Sequence, residues 1–448
     1  MIVFLFIFSQ GTASAQDYIQ FLANEVCHCL EAKSKEPWPD TVKDLEFCYS
    51  QVFEENHEAL TAVYGEDYFS DYEASHQFGI EVGKSIAKNC SIFIDLYLEE
   101  QKKSESRLIQ LKKEAEQASE SGDLAKAMSF YNQAISLDSK DPDLYNSRGL
   151  VYFNLGRYHR AIADFYWASE MDPGNHIYHF NLSFSKYQLQ DYELALEDLE
   201  KSISLNDEFA DSQNLMGLIL VKLNKKDEAM PFFLKAYDLD GTDADFPYNV
   251  GYLHFEENRF AEALDWFKKS EAINASSIQL LSRMGNTYNQ LDDFDNAVLY
   301  HRKCIDKAPD DSNNYFNLGL AYLNSGNPKM AIDQFNVAFE KEKQDSDITY
   351  YLAMCYEQLE DYMASLEYLA ASLEIDPRNA SYYDKRAAIY DFLGQYEKAI
   401  EDYLVSISIY PNDCQIHQEL GRLFNLIGNE EKAVYQFQKA QEKGCSNR

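Results

Sequence analysis

The sequence predicts an all-α protein: an array of ten stacked helix hairpins behind a small helical domain stapled by disulfides. Three observations predict it. A 34-residue period runs through the chain without insertion or deletion, small residues recur on that period, and four cysteines crowd the stretch ahead of it. Stepping by 34 from Ala115 meets Gly149, Ser183, Gly217, Gly251, Gly285, Gly319, Ala353, Ala387 and Gly421. A second small column lies twelve residues later, from Ala127 to Ala433. A third lies seven beyond that, from Ala134 to Ala440, and includes Cys304. Each repeat holds two amphipathic stretches, such as 312–325 and 329–341, joined by a tight turn. Small side chains belong where two helix backbones approach closely. At Gly319 the lost helix propensity of up to about 1 kcal/mol is offset by closer packing.

Large residues fill the space between the small columns. They are Tyr288, Tyr322, Tyr356 and Tyr390 in first helices, and Phe233, Phe267, Phe335, Tyr403 and Phe437 in second helices. The turn column reads Gly122, Gly156, Gln190, Asn224, Asn258, Asp292, Gly326, Glu360, Gly394, Gly428. It is rich in residues that tolerate a left-handed helix terminus. Pro173, Pro309, Pro377 and Pro411 share a column where the second helix must end. With Leu318-Gly319, Tyr322, Gly326, Ala331, Phe335 and Ala338, this pattern resembles the tetratricopeptide repeat over 108–447. The resemblance implies a right-handed α-solenoid, its concave groove lined by the first helix of each repeat. Repeat three departs most, at Ser183, Lys186 and Gln190, and Pro231 predicts a local kink in a second helix.

Residues 1–15 read as a signal peptide. An apolar run, Ile2 to Phe8, precedes Ala13-Ser14-Ala15, an A-x-A cleavage pattern that would leave Gln16 first, although no Lys or Arg precedes the run. Export places the protein in the periplasm or outside the cell, in an oxidising compartment. Residues 16–107 read as three helices, 17–34, 40–63 and 75–106, the last running on into the first repeat, with a turn marked by Pro37, Trp38 and Pro39. Cys27 and Cys29 are about 200° apart on a helix, so they cannot both face one neighbour. Two disulfides joining them to Cys48 and Cys90 would staple a small core. Of the three connectivities, hairpin register favours Cys27 with Cys48. The stretches "EVCHCLEAK", "FCYSQVF" and "GIEVGKSIAKNC" resemble a small helical domain found before repeats in exported Bacteroidetes proteins. Cys414 and Cys445 bracket the last hairpin, whose ends are neighbours, and a third disulfide would clamp it there. Cys304 and Cys355 read as free packing thiols.

No residue constellation predicts an enzyme, a cofactor or a metal. The "CHC" around His28 lacks a tetrahedral ligand set, and His176 and His179 lack a third ligand. Phosphate loops, zincin motifs and dinucleotide fingerprints are absent from the sequence. Net charge is −35, and with 19 acidic and 8 basic residues in 16–107, the remainder carries −24. Such a chain repels nucleic acid. Its acidity serves solubility or attracts a basic partner. No segment after the signal reaches a membrane-spanning length of apolar residues.

The expected function is a non-enzymatic adaptor that holds a protein or extended peptide in the groove. Groove positions lie three before, and one and four after, the small column. They give Phe180, Phe184 and Tyr187 in repeat three, Tyr248, Tyr252 and Phe255 in repeat five, and Phe153, Phe316 and Tyr350 beside them. Asn181, Asn249 and Asn317 stand two before the small column, and Asn286 and Asn289 are further amides able to bind a peptide backbone. A carboxylate clamp fails at Asp347 and Tyr351. The alternatives are a structural spacer with an idle groove and a non-catalytic enzyme subunit.

Overall fold

The computed structural model describes residues 15–33, 41–64 and 72–445. The signal-peptide reading and the turn at Pro37, Trp38 and Pro39 fall outside them, apart from Ala15. The described residues form helices and no strand, and they fall into two compact units, Met1–Asp191 and Tyr192–Arg448.

The first unit opens with α1 (Ala15–Lys33), α2 (Thr41–Glu55), α3 (His57–Tyr64), α4 (Tyr72–Asn89) and α5 (Ser91–Glu120). Two of the three helices expected here are broken. The 40–63 stretch turns at Asn56, whose backbone N–H and side-chain Nδ2 both donate to the Val52 carbonyl, at 3.2 and 2.8 Å. The 75–106 stretch breaks at Cys90, which is extended at φ −100° and ψ 99°. Beyond that break α5 runs on as the first helix of the first repeat. The core of this part gathers Ile19, Leu22, Val26 and Leu30 of α1 with Val52, Phe78, Val82 and Ile86. That α1 stripe follows helical spacing.

Cys27 bonds Cys90 and Cys29 bonds Cys48, which corrects the expected Cys27–Cys48 pair. The reason is angular. Cys27 lies four residues after buried Ala23, on the flank that meets the α4–α5 junction. Cys29, roughly 200° around α1, faces α2. The unit continues as hairpins: α5 with α6 (Leu124–Leu137), then α7 (Pro142–Asn154) with α8 (Tyr158–Met171), then α9 (His176–Gln188).

The second unit starts at α10 (Tyr192–Leu205) and stacks seven hairpins. These are α11/α12 (Ala210–Lys222, Lys226–Leu239), α13/α14 (Asp245–Glu256, Phe260–Ile273), α15/α16 (Ile278–Gln290, Phe294–Lys307) and α17/α18 (Ser312–Asn324, Pro328–Lys341). They continue as α19/α20 (Ser346–Gln358, Tyr362–Ile375), α21/α22 (Ala380–Phe392, Tyr396–Ile409) and α23/α24 (Cys414–Leu426, Glu430–Glu442). Successive hairpins pack on one another, the nearest-neighbour organisation of a solenoid. α12 is unbroken through the exposed Pro231. Cys414 and Cys445 are bonded, and Cys304 and Cys355 are buried thiols.

Every residue of the turn column has positive φ, from 58° at Asp292 to 79° at Gly428. Each hairpin therefore ends its first helix in a left-handed residue. The small column works by contact. A Cβ built on Gly149, Gly217, Gly251, Gly319 or Gly421 would meet the ring of the phenylalanine sixteen residues later at 2.5–2.7 Å. Where the column carries Ala instead, its partner is Tyr131, Leu369 or Tyr403.

Gly285 faces His301 in the same way, at 2.6 Å. His301 is 1% exposed, and its Nδ1 is buried without a hydrogen-bond partner. Burial pushes its pKa down to about 4, so the neutral ring is the one that packs. The unfolded imidazole takes its proton near pH 6.5. Stability is therefore complete above about pH 6.5 and falls between there and about pH 4, by up to roughly 1.4 kcal/mol per pH unit. Denaturation followed from pH 7.5 to 4.5 should show that slope, and His301→Phe should flatten it. An unchanged slope would assign the acid sensitivity to other groups.

Candidate interaction surface

Sequence periodicity places the candidate residues on the first helices, and the structure divides them into two sets, one in each unit. In the first unit Phe184 on α9 is the hub. Its ring stacks on Phe153 of α7 at 5.0 Å, and on Phe180 and Tyr187 of its own helix at 5.9 and 6.4 Å, with interplanar angles between 13° and 25°. All four rings are half-buried, so each keeps some exposed surface. Spacing of three and four along α9 puts 180, 184 and 187 on one face.

In the second unit Tyr248, Tyr252 and Phe255 share one face of α13 and are half-buried. Arg283, from α15 of the next hairpin, lies over two of them. Its guanidinium carbon is 5.0 Å from the Tyr252 ring centroid and 5.5 Å from that of Phe255. Tyr248 is tilted on Phe267 at 5.6 Å. Its hydroxyl is buried beside Arg283. Burial raises the phenol's pKa, and the nearby guanidinium opposes that rise. Aromatic faces under a guanidinium are a favourable electrostatic arrangement.

Sequence reasoning missed Arg283. It occupies the column two before the small residue, the same one that holds Asn181, Asn249 and Asn317. A cation there, in a chain this acidic, was the available signal. Among the described residues no carboxylate pairs with it. By contrast Lys385 of the same column bonds Glu357 at 2.6 Å, and Arg148 and Arg386 clasp Asp164 and Asp402 through two hydrogen bonds each.

Other candidates are engaged within the array. Asn181 is buried, and its Nδ2 donates to Asn146 Oδ1 at 2.8 Å. Asn249 is buried, and its Nδ2 donates to Asn214 Oδ1 at 2.7 Å. Both bonds span 35 residues, so they tie one repeat to the next. Asn289 accepts from Asn324 at 3.2 Å. Phe316 packs on Phe335 and Tyr351, and Tyr350 on Tyr351 and Tyr382. Asn286 and Asn317 are half-buried on α15 and α17. Among the described residues no group of three or more His, Cys, Asp or Glu is placed to hold a metal ion, and no helix is long and apolar enough to cross a membrane.

Comparison with known proteins agrees with the repeat pattern. Residues 116–180, 177–209, 210–243 and 380–413 match descriptions of the tetratricopeptide repeat, and 290–372 match the description "Anaphase-promoting complex, cyclosome, subunit 3". Human "Protein O-mannosyl-transferase TMTC3" is 25% identical over 221 residues, 44% of this chain and 23% of its own. The Caenorhabditis elegans "BBSome complex member bbs-4" is 23% identical over 198 residues, 44% of this chain and 43% of its own. The chain thus spans less than half the length of these relatives. A solved tetratricopeptide repeat protein from Parabacteroides merdae is 16% identical, with a TM-score of 0.45, covering 53% of this chain and 94% of that one. The solved MamA protein is 27% identical, with a TM-score of 0.34, covering 36% and 94%.

Proposed function

We propose that the tetratricopeptide repeats carried by this chain form a non-enzymatic scaffold that binds a protein or extended peptide along the first-helix face. The observation that carries this reading is the pair of half-exposed aromatic clusters: Phe153, Phe180, Phe184 and Tyr187, and Tyr248, Tyr252 and Phe255 beneath Arg283. Clustered aromatics accept a partner's apolar anchors. Arg283 offers one cationic point to a carbonyl or carboxylate, while the surrounding negative charge favours basic flanks in the partner. The site of action is the periplasm, the cell envelope or the exterior. Three disulfides and the apolar N-terminal segment support that placement. In this reading residues 1–15 are a signal peptide, 16–107 a disulfide-stapled helical domain and 108–447 ten repeats.

Affinity capture from an envelope extract tests it. Phe184→Ala with Tyr252→Ala should lose the captured partner by about tenfold or more, while the chain still unfolds cooperatively in a denaturant melt. Undiminished capture, or a variant that no longer folds, would overturn the assignment of these rings to binding.

A second reading, a spacer with an idle face, is favoured by the engagement of Asn181, Asn249, Phe316 and Tyr350 between repeats. Deleting one 34-residue repeat separates the two. A spacer loses function in proportion to length, whereas a groove binder loses it outright when the deleted repeat carries Tyr252.

A further inference from the structure

One hairpin of the second unit closes on a group that can take up a proton near neutral pH. The position sixteen residues after the small column holds Phe165, Phe233, Phe267, Phe335 and Phe437, with leucine or tyrosine in four other repeats. In repeat six it holds His301. The glycine opposite is kept, and so is the close approach: the imidazole meets Gly285 as Phe267 meets Gly251 and Phe335 meets Gly319. Its companions in the core are apolar or weakly polar, among them Phe267, Leu281, Met284, Ala297 and Cys304. The α15–α16 seam is therefore packed like its neighbours, but around a base whose Nδ1 is buried without a partner.

The surroundings offer the charged ring nothing. Burial is the cause of its lowered pKa, and no neighbouring charge contributes. The helices packed on α16 are α15 and α17. The ionisable groups of α15 are Arg283 and Tyr288, and those of α17 are Tyr315 and Tyr322. Arg283 lies over Tyr252 and Phe255, and Tyr322 accepts from Arg302 at 2.6 Å. On α16 itself Tyr300 donates to Glu271 at 2.9 Å and Lys303 pairs with Glu271 at 3.6 Å, while Asp295, Asp306 and Lys307 are exposed. In the preceding turn Asp292 is exposed, and Asp293 accepts from the Asn296 backbone N–H at 3.3 Å. Burial raises the pKa of Tyr288 and Tyr300 and pushes the Cys304 thiol up to about 11, so these groups keep their protons. An imidazolium at 301 would have neither a carboxylate nor water. It reaches water only if α16 parts from α15.

We propose that acid opens the second unit at the α15–α16 hairpin, and that this opening withdraws Arg283 from the rings of Tyr252 and Phe255. Proteins open in local cooperative units below the cost of global unfolding, and each repeat of an array contributes its own stability. The hairpins on either side close on Phe267 and Phe335, which do not titrate, so acid weakens repeat six selectively. The opening does not depend on the binding role of the first-helix face. Loss of a ligand from the Tyr252 cluster on acidification rests on that reading as well.

Hydrogen–deuterium exchange of the full chain at pH 7.5 and pH 5.0, corrected for intrinsic rates and resolved by peptide, tests it. Peptides of α15 and α16 should lose protection by about thirtyfold at the lower pH, and those of α21 and α22 by much less. His301→Phe, which copies the Gly319–Phe335 contact, and His301→Gln, which stays polar without titrating, should each hold their pH 7.5 protection at pH 5.0. His254→Gln, on α13, should lose it as the parent does. Full protection of α15 and α16 in the parent at pH 5.0 overturns the proposal. A loss that persists in both His301 variants, that His254→Gln abolishes, or that spreads evenly over the unit overturns it as well.

Discussion

Gly319→Val is expected to destabilise the second unit by about 3 kcal/mol. A Cβ at this position would lie 2.6 Å from Phe335 Cε1, and Phe335 is fully buried, so its ring has nowhere to go. Valine adds two further carbons and a β-branch that a helix accepts poorly. A two-step design isolates the cause. Gly319→Ala gains about 1 kcal/mol of helix propensity but still meets the ring, so its net effect should be small or destabilising. Phe335→Leu alone opens a cavity. Together they reproduce the Ala353–Leu369 contact found one repeat later, so the double variant should lose less than the sum of the singles by about 1 kcal/mol or more. Urea melts monitored through Trp266, which lies in this unit, give the cycle directly. Strict additivity would mean that close backbone approach is not why glycine stands there.

The second large effect concerns the N-terminal core. Cys27→Ala with Cys90→Ala should cost about 4 kcal/mol on the chain-entropy account, because the bond closes a separation of 63 residues. Cys29→Ala with Cys48→Ala, across 19 residues, should cost about 3 kcal/mol. Loss of the first bond also frees the α4–α5 junction, where Cys90 adopts its extended backbone. Limited proteolysis should therefore cut near residue 90 in the first variant and not in the second. Equal resistance in both would show that Phe78, Val82 and Ile86 hold the junction without covalent help.

The repeat array was legible because its signals are local and recur. Small residues, turn residues and large residues each keep one column, and the left-handed turn at Glu360 or Gln190 could be read from its neighbours in register even though neither residue favours it. The helix break at Cys90 was not legible, since nothing in "AKNCSIF" stops a helix and the bond to Cys27 forms at distance. The asparagines misled for a related reason. Asn181 and Asn249 share a column, which suggested a common outward face. Their partners Asn146 and Asn214 sit 35 residues away, one position off the repeat, where a strict 34-residue comparison does not look. Arg283 was not legible as a site residue because Asn181, Asn249 and Asn317 share its column. Its meaning depends on two rings from the preceding repeat and on the absence of an acid, and both are properties of packing.

The Arg148–Asp164 and Arg386–Asp402 clasps behave differently on heating from the rest of the scaffold. In each, a first-helix guanidinium grips a carboxylate sixteen residues on, whose residue is only 5% or 6% exposed. Much of what opposes such a pair is the hydration its charges gave up, and that cost shrinks as water warms. Contacts between oily side chains gain no comparable advantage. Hairpins two and nine should accordingly hold to higher temperature than their immediate neighbours, so that warming loosens each unit first in repeats without a clasp.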